Sequence, residues 1–214
     1  MLYAVFGYYF FQNIMKIVLA SNNPGKLAEL HAMFAPLGLE LISQAELGIP
    51  EAAEPHCTFV ENALAKARHA SQWSGLPTVA DDAGLCVDAF DGLPGVDTAF
   101  YATQFGYPKS DDNNVIALLA QMRDIKNRRA ALVSTLVAVR HPQDPEPLIA
   151  VGRAVGEITL QPMGSNGFGF DPVMFIAAYG KTFAQLPVDV KNAISHRGQA
   201  ARAMVGLMRE RWKS

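Results

Sequence analysis

Asp81 and Asp82 stand side by side after the apolar run Thr78-Val79-Ala80 and before Ala83-Gly84. Two adjacent carboxylates repel each other, and a divalent cation relieves that repulsion, so the pair is a candidate for holding a metal and activating water. Neighbouring side chains on a strand point to opposite faces, so one of the two acids is expected to enter a site directly. The same residues also read as a plain acidic turn between two short strands. Glu51 and Glu54 lie in the loop from Gly48 to Cys57 and could add an oxygen ligand, although loop glutamates are also explained by solvation.

Three further segments combine residue types that suit a phosphorylated ligand. Ser21-Asn22-Asn23-Pro24-Gly25-Lys26 sits between an apolar run and a helical pattern, where free backbone N–H groups, the positive end of a helix and a lysine favour phosphate. The segment departs from a Walker A loop, because Ala20 occupies the first Gly position and Leu27 follows the lysine. The other reading is a capped turn with a solvated lysine. In Gly164 to Pro172, Phe168 and Phe170 alternate with Gly167 and Gly169 ahead of Asp171, so an aromatic ring could lie on a nucleobase while glycine permits close passage. Two core phenylalanines in a strained turn fit equally well. Ser195-His196-Arg197 begins the last helical pattern, with Lys191 one turn earlier. Cations at a helix start oppose the macrodipole unless an anion or polar ligand compensates, which points to function. A Ser-His-Asp triad has no GxSxG elbow to support it.

The elements that must carry these residues follow from pattern. Ile17 to Ala20 reads as a buried strand, and Asn23 and Pro24 open a helix through Leu27, Leu30 and Phe34 that Pro36 stops. Leu39 to Ile42 is a second strand. Thr58-Phe-Val-Glu61 is a capping box opening a helix with Phe59, Ala63, Ala67 and Ala70 inside and Asn62, Lys66 and His69 on the opposite face. Thr78 to Ala80 and Leu85 to Val87 read as two strands with the acids at their ends. Asp91 to Tyr107 reads as loop, and Ser110 or Asp111 caps a helix through Met122. Ala130 to Val139 and Leu148 to Leu160 form a long hairpin, and a helix runs from Ser195 to about Trp212. Helices interspersed with strands and a long hairpin predict an α/β fold with a mixed sheet.

Composition narrows the class of ligand. A chain of 214 residues with a net charge of −2 and no extended Lys/Arg block lacks the positive surface that a nucleic-acid polymer demands, so a phosphate ligand should be small. Cys57 and Cys86 lack zinc spacing or a disulfide framework, which fits a reduced cytoplasm. The apolar stretch 1–14 lacks the charged start and cleavage site of a signal peptide and is too short to span a membrane. It is expected to be an N-terminal extension of a single domain at 15–214.

Taken together, SNNPGK, FVENALAKA, ADDAGLCVDAFDGLPGV, GFGFDP and KNAISHRGQA closely resemble the inosine/xanthosine triphosphate pyrophosphatase family, also called HAM1-like or RdgB-type, in order from about Lys16 to Met208. The resemblance implies an elongated central mixed sheet with flanking helices, two lobes around a nucleotide cleft, and a homodimer. It implies Mg²⁺-dependent hydrolysis of ITP, dITP and XTP to the monophosphate and pyrophosphate. By the same resemblance Ser21, Asn22, Asn23, Pro24, Gly25 and Lys26 grip the triphosphate. Asp82 holds Mg²⁺ and accepts a proton from water, and Glu54 helps bind the metal. Phe168, Gly169, Phe170 and Asp171 hold the base with Lys191, His196 and Arg197. Ala83 stands at a substrate-contact position where a Ser usually follows the acids, and Phe100 replaces the usual Arg of Ala-Arg-Tyr. Other expectations are a related nucleotide phosphohydrolase that prefers another modified base or releases single phosphates, and a non-catalytic nucleotide sensor.

Overall fold

A computed structural model describes residues 15–35 and 38–212. The stretch 1–14 and the helix stop expected at Pro36 lie outside the described residues. Strand β1 (Lys16–Ala20) is followed by helix α1 (Pro24–Phe34), whose start is fixed by the Asn23 side chain accepting a hydrogen bond from the Lys26 N–H. Strand β2 (Glu40–Ser43) precedes helix α2 (Phe59–Ser74), capped by the Thr58 hydroxyl, which accepts from the Glu61 N–H. Strand β3 (Thr78–Val87) leads through 3-10 turns to helix α3 (Asp111–Gln121), capped by Ser110. Strands β4 (Arg129–Val139) and β5 (Leu148–Ile158) form the long hairpin, and β6 (Met174–Ile176), β7 (Lys181–Thr182), α4 (Val188–Ile194) and α5 (His196–Arg211) complete the chain.

The seven described strands make one mixed sheet in the order β2-β1-β3-β4-β5-β6-β7. β2, β1 and β3 run parallel, and from β3 onward every pairing is antiparallel. Ile17 and Leu19 of β1 pack with Leu30 and Phe34 of α1 and Met204 of α5 on one face. On the other face Val18 and Ala80 meet Ala63, Ala67 and Ala70 of α2, where small side chains let the helix lie close to the sheet. A third core joins Leu85 and Val87 at the far end of β3 to Leu118 and Phe183.

Three local expectations are corrected, and one further helix appears. Thr78 to Val87 is one continuous strand, because every residue from Thr78 to Val87 pairs with β4. Tertiary pairing overrides the turn-forming composition of Asp-Asp-Ala-Gly, so the acids lie mid-strand. Asn62 does not face solvent: it is 2% exposed, and its amide bonds both the N–H and the carbonyl of His56, pinning the loop that carries Glu54. Gly95–Phe105 is wound as a 3-10 helix, not an open loop. A short helix, α4, occupies Val188–Ile194 ahead of the expected terminal helix.

Two glycines set the site's geometry. A methyl on Gly152 of β5 would overlap the His196 carbonyl, so glycine lets the start of α5 press against the sheet. A methyl on Gly84 would overlap the Gly95 carbonyl, so the 3-10 segment rests directly on β3.

Candidate active site

The alternation of β3 sends Asp81 and Asp82 to opposite faces. Asp81, 1% exposed, takes its hydrogen bonds from Ser134 Oγ at 2.5 Å and Arg197 Nε at 3.1 Å, and pairs with Lys26 Nζ at 3.1 Å. Arg197 continues to Glu29 at 2.6 Å, Glu29 to Lys191 at 2.9 Å, and Lys191 to Asp171 at 2.5 Å. A chain of alternating charge therefore runs Lys26, Asp81, Arg197, Glu29, Lys191, Asp171. It ties α1, β3, the aromatic loop and the last two helices into one arrangement. Each buried ion has an oppositely charged neighbour, the condition under which buried charge is tolerated.

Asp82 faces a different environment. Its Oδ1 receives Lys66 Nζ at 2.8 Å, and the same ammonium donates to Glu54 Oε2 at 2.8 Å. Asp82 Oδ2 is buried without a partner. Lys66 thus aims two carboxylates at a cleft of about 510 Å³. Its lining includes the carboxylates of Glu51, Glu54, Asp82 and Asp97 besides Lys26, Lys66 and Lys109; Asp81 borders it too, but its side chain is fully buried.

A smaller cavity of about 120 Å³ adjoins this cleft, and the two share Asn23, Lys26, Ala83 and Ala99. Its walls include Phe168, Phe170, Lys191, His196 and Arg197. Phe168 lies 2.7 Å from where a Gly25 methyl would stand, with Lys191 Nζ 5.0 Å and the Arg197 guanidinium 5.6 Å from its ring centre. Only glycine at position 25 admits the ring against the start of α1. The loop is further held by Asp171, which accepts the Phe168 N–H, and by Asp111 of α3, which accepts the Gly169 N–H at 2.9 Å. His196, 6% exposed, has an unpartnered Nδ1.

Burial and charge set the protonation of these groups. Burial alone would raise the Asp81 carboxyl, but Lys26, Arg197 and the Ser134 hydroxyl outweigh it and hold it well below the usual range. Burial pushes Asp82 up despite Lys66, which makes it the better proton acceptor of the two. Glu54 moves down, because its bond to Lys66 and the charge of that lysine overcome desolvation. Burial, with Arg197 nearby, drives His196 far below its ordinary value and keeps the ring neutral. Desolvation pulls on Lys191 and Arg197, yet their carboxylate partners hold both charged.

The structure gathers the residues that the sequence singles out. Ser21 accepts the Asn23 N–H, Asn22 joins Glu51 to Gln44, Asn23 caps α1 with Pro24 in its first turn, and Lys26 reaches across to Asp81. Ala83 lines both cavities. Phe170 is 3% exposed and belongs to the third core while also bordering the small cavity, so Phe168 is the more accessible ring. Glu29 and Lys66 are the charged partners of these residues that pattern alone does not isolate. Glu29 differs from a surface glutamate only through partners 162 and 168 residues away. Lys66 could have been found by pairing the outer face of α2 with the acids of the next strand.

The Ham1 family model matches residues 17–207. A dITP/XTP pyrophosphatase of Albidiferax ferrireducens is 80% identical over 198 residues, covering 92% of this chain and all of the relative. One of the same name from Polaromonas naphthalenivorans is 76% identical over 201 residues, with the same coverage. Among solved structures, a HAM1 protein from Coxiella burnetii superposes with a TM-score of 0.85 at 39% identity, covering 92% of this chain and 100% of that one.

Proposed function

The chain belongs to the Ham1 family, and we propose that it hydrolyses the deaminated purine nucleoside triphosphates ITP, dITP and XTP to the monophosphate and pyrophosphate, keeping them out of DNA and RNA. The observation that carries this reading is the junction of two unlike cavities at Asn23, Lys26, Ala83 and Ala99. One is a charged cleft with an unpartnered carboxylate oxygen. The other is a small pocket with an aromatic ring, a neutral histidine and an arginine.

A purine in the small pocket lies against Phe168, and its phosphates extend past Lys26 into the cleft. Arg197 commits Nε and Nη1 to Asp81 and Glu29, so its direction is fixed before a base arrives. With His196 it can donate to the 6-oxo group of hypoxanthine or xanthine. The 6-amino group of adenine would leave such donors unpaired, at a cost of roughly 1–3 kcal/mol per buried group. In the cleft, Asp82, oriented by Lys66, orients a water and takes its proton as the α–β phosphoanhydride breaks.

The cleft also fits Mg²⁺. A polyanion would enter a lining richer in carboxylates than in lysines, and Asp82 Oδ2 has no partner. Asp82 and Glu54 would hold the ion. Among the described residues no group of three His, Cys, Asp or Glu forms a cage. Mg²⁺ takes one or two carboxylates and fills its remaining positions with water and phosphate, so the protein's share would fall to Asp82 and Glu54. When bound, Mg²⁺ neutralises phosphate oxygens.

A homodimer could cover the outer side of β5, where Ile149, Val151 and Val155 are 47%, 57% and 50% exposed in a row that the exposed Arg153 interrupts. A cytoplasmic setting is supported by the unpaired Cys57 and Cys86. No described helix is long and apolar enough to cross a membrane.

Incubation with ITP, XTP, dITP, ATP and GTP plus Mg²⁺, followed by product identification, tests the reading. Pyrophosphate with IMP, dIMP or XMP supports it. Inorganic phosphate alone would indicate a different phosphohydrolase, and tight binding without turnover a sensor.

A further inference from the structure

Lys26, Lys66 and Lys109 line the larger cleft, but they are not equally available to a ligand. Lys26 is paired with Asp81, and Lys66 with both Glu54 and Asp82. Lys109 makes no ion pair among the described residues; its Nζ instead lies 3.9 Å from the centre of the Phe100 ring. An aromatic face restrains an ammonium without neutralising it, so the full charge remains for a ligand while part of the side-chain entropy is already lost. Phe100 is 51% exposed at the cleft wall and is not part of any of the three core clusters. Both residues border the larger cleft and neither borders the smaller pocket, which places them along the phosphates and not the base.

Building on the function proposed above, we propose that Lys109, held over Phe100, is a phosphate-binding residue that takes the phosphates beyond the α position, the part that leaves as pyrophosphate. The carboxylate-rich lining explains the need for it: Lys26 and Lys66 spend much of their charge on acids already present. Phe100 is a positioning residue, acting through the lysine.

Calorimetric titration with inorganic pyrophosphate and, separately, with IMP, each with Mg²⁺, tests the assignment on Lys109→Met, Lys109→Arg, Phe100→Leu and Phe100→Tyr, alongside KM and kcat for dITP. Lys109→Met weakens pyrophosphate about five- to tenfold and raises KM for dITP similarly, with the larger share of the effect in KM rather than kcat. Phe100→Leu weakens pyrophosphate roughly two- to threefold, and Phe100→Tyr and Lys109→Arg recover most of the affinity. IMP affinity stays at its unsubstituted level throughout. Unchanged pyrophosphate affinity in Lys109→Met, or an equal loss for IMP, overturns the proposal. If the unsubstituted protein cleaves no dITP, the proposed function fails, while the pyrophosphate titration still decides the role of Lys109.

Discussion

Asp81 and Asp82 are consecutive on β3, yet Asp81 has its oxygens taken by Ser134, Lys26 and Arg197, while Asp82 has one oxygen on Lys66 and one without a partner. The difference extends to their surroundings. On Asp81's side, six charged groups from five parts of the chain neutralise one another in sequence, and the result is rigidity. On Asp82's side, lysine and carboxylate share partners at the wall of an open cleft, and capacity for a ligand remains. A strand's two-residue period thus separates a fully paired acid from one with an oxygen to spare, the pair to which the proposed function gives positioning and reacting roles.

The contrast breaks first at Arg197. Replacing it with Met leaves Asp81 and Glu29 short of a cation inside the protein, and unfolding by urea should show a loss of about 3–5 kcal/mol; a loss under about 1 kcal/mol would mean that the buried chain holds little together. On the other side, Lys66→Met should lower kcat for dITP roughly ten- to hundredfold by releasing Asp82 and Glu54 from their shared partner. If that variant instead lost stability as Arg197→Met does, with turnover intact, the two sides would not differ as described.

His196 offers a pH-dependent measure of the same packing. Its folded pKa is depressed below 6.5, so the unfolded chain binds the extra proton as pH falls. Its contribution to stability is present above about pH 6.5 and is lost below it, by up to roughly 1.4 kcal/mol per pH unit. Urea midpoints from pH 7.5 to 5.5 should fall more steeply for the unsubstituted protein than for His196→Asn, and identical slopes would exclude a buried neutral ring. The smallest effect belongs to Glu54→Gln, which should raise the Mg²⁺ concentration for half-maximal turnover about three- to tenfold. An unshifted Mg²⁺ dependence would remove Glu54 from the metal site.

How far such a site is legible in sequence depends on how local its determinants are. Asn23, Thr58, Ser110 and Ser195 all cap helices where the sequence places them, because a cap is written within a few residues. The mixed sheet and long hairpin also follow from pattern. Thr78 to Val87 did not, since Asp-Asp-Ala-Gly has turn composition and only the β4 ladder makes it strand. Asn62 reads as a polar outer residue of α2 until the loop at His56 is folded onto it. Glu29 was invisible for the same reason: its partners come from the other end of the chain. The segments that the sequence singles out border two adjoining cavities, whereas the pairing of their charges is visible only in three dimensions.

The most direct test sets Asp81→Asn beside Asp82→Asn, measuring thermal unfolding and kcat for dITP on both. Asp82→Asn should lose roughly 10²- to 10⁴-fold in kcat while melting within about 2 °C of the unsubstituted protein. Asp81→Asn should melt about 6–12 °C lower and retain measurable turnover. Full activity in Asp82→Asn, or an unchanged melting temperature in Asp81→Asn, would contradict the division of labour across β3.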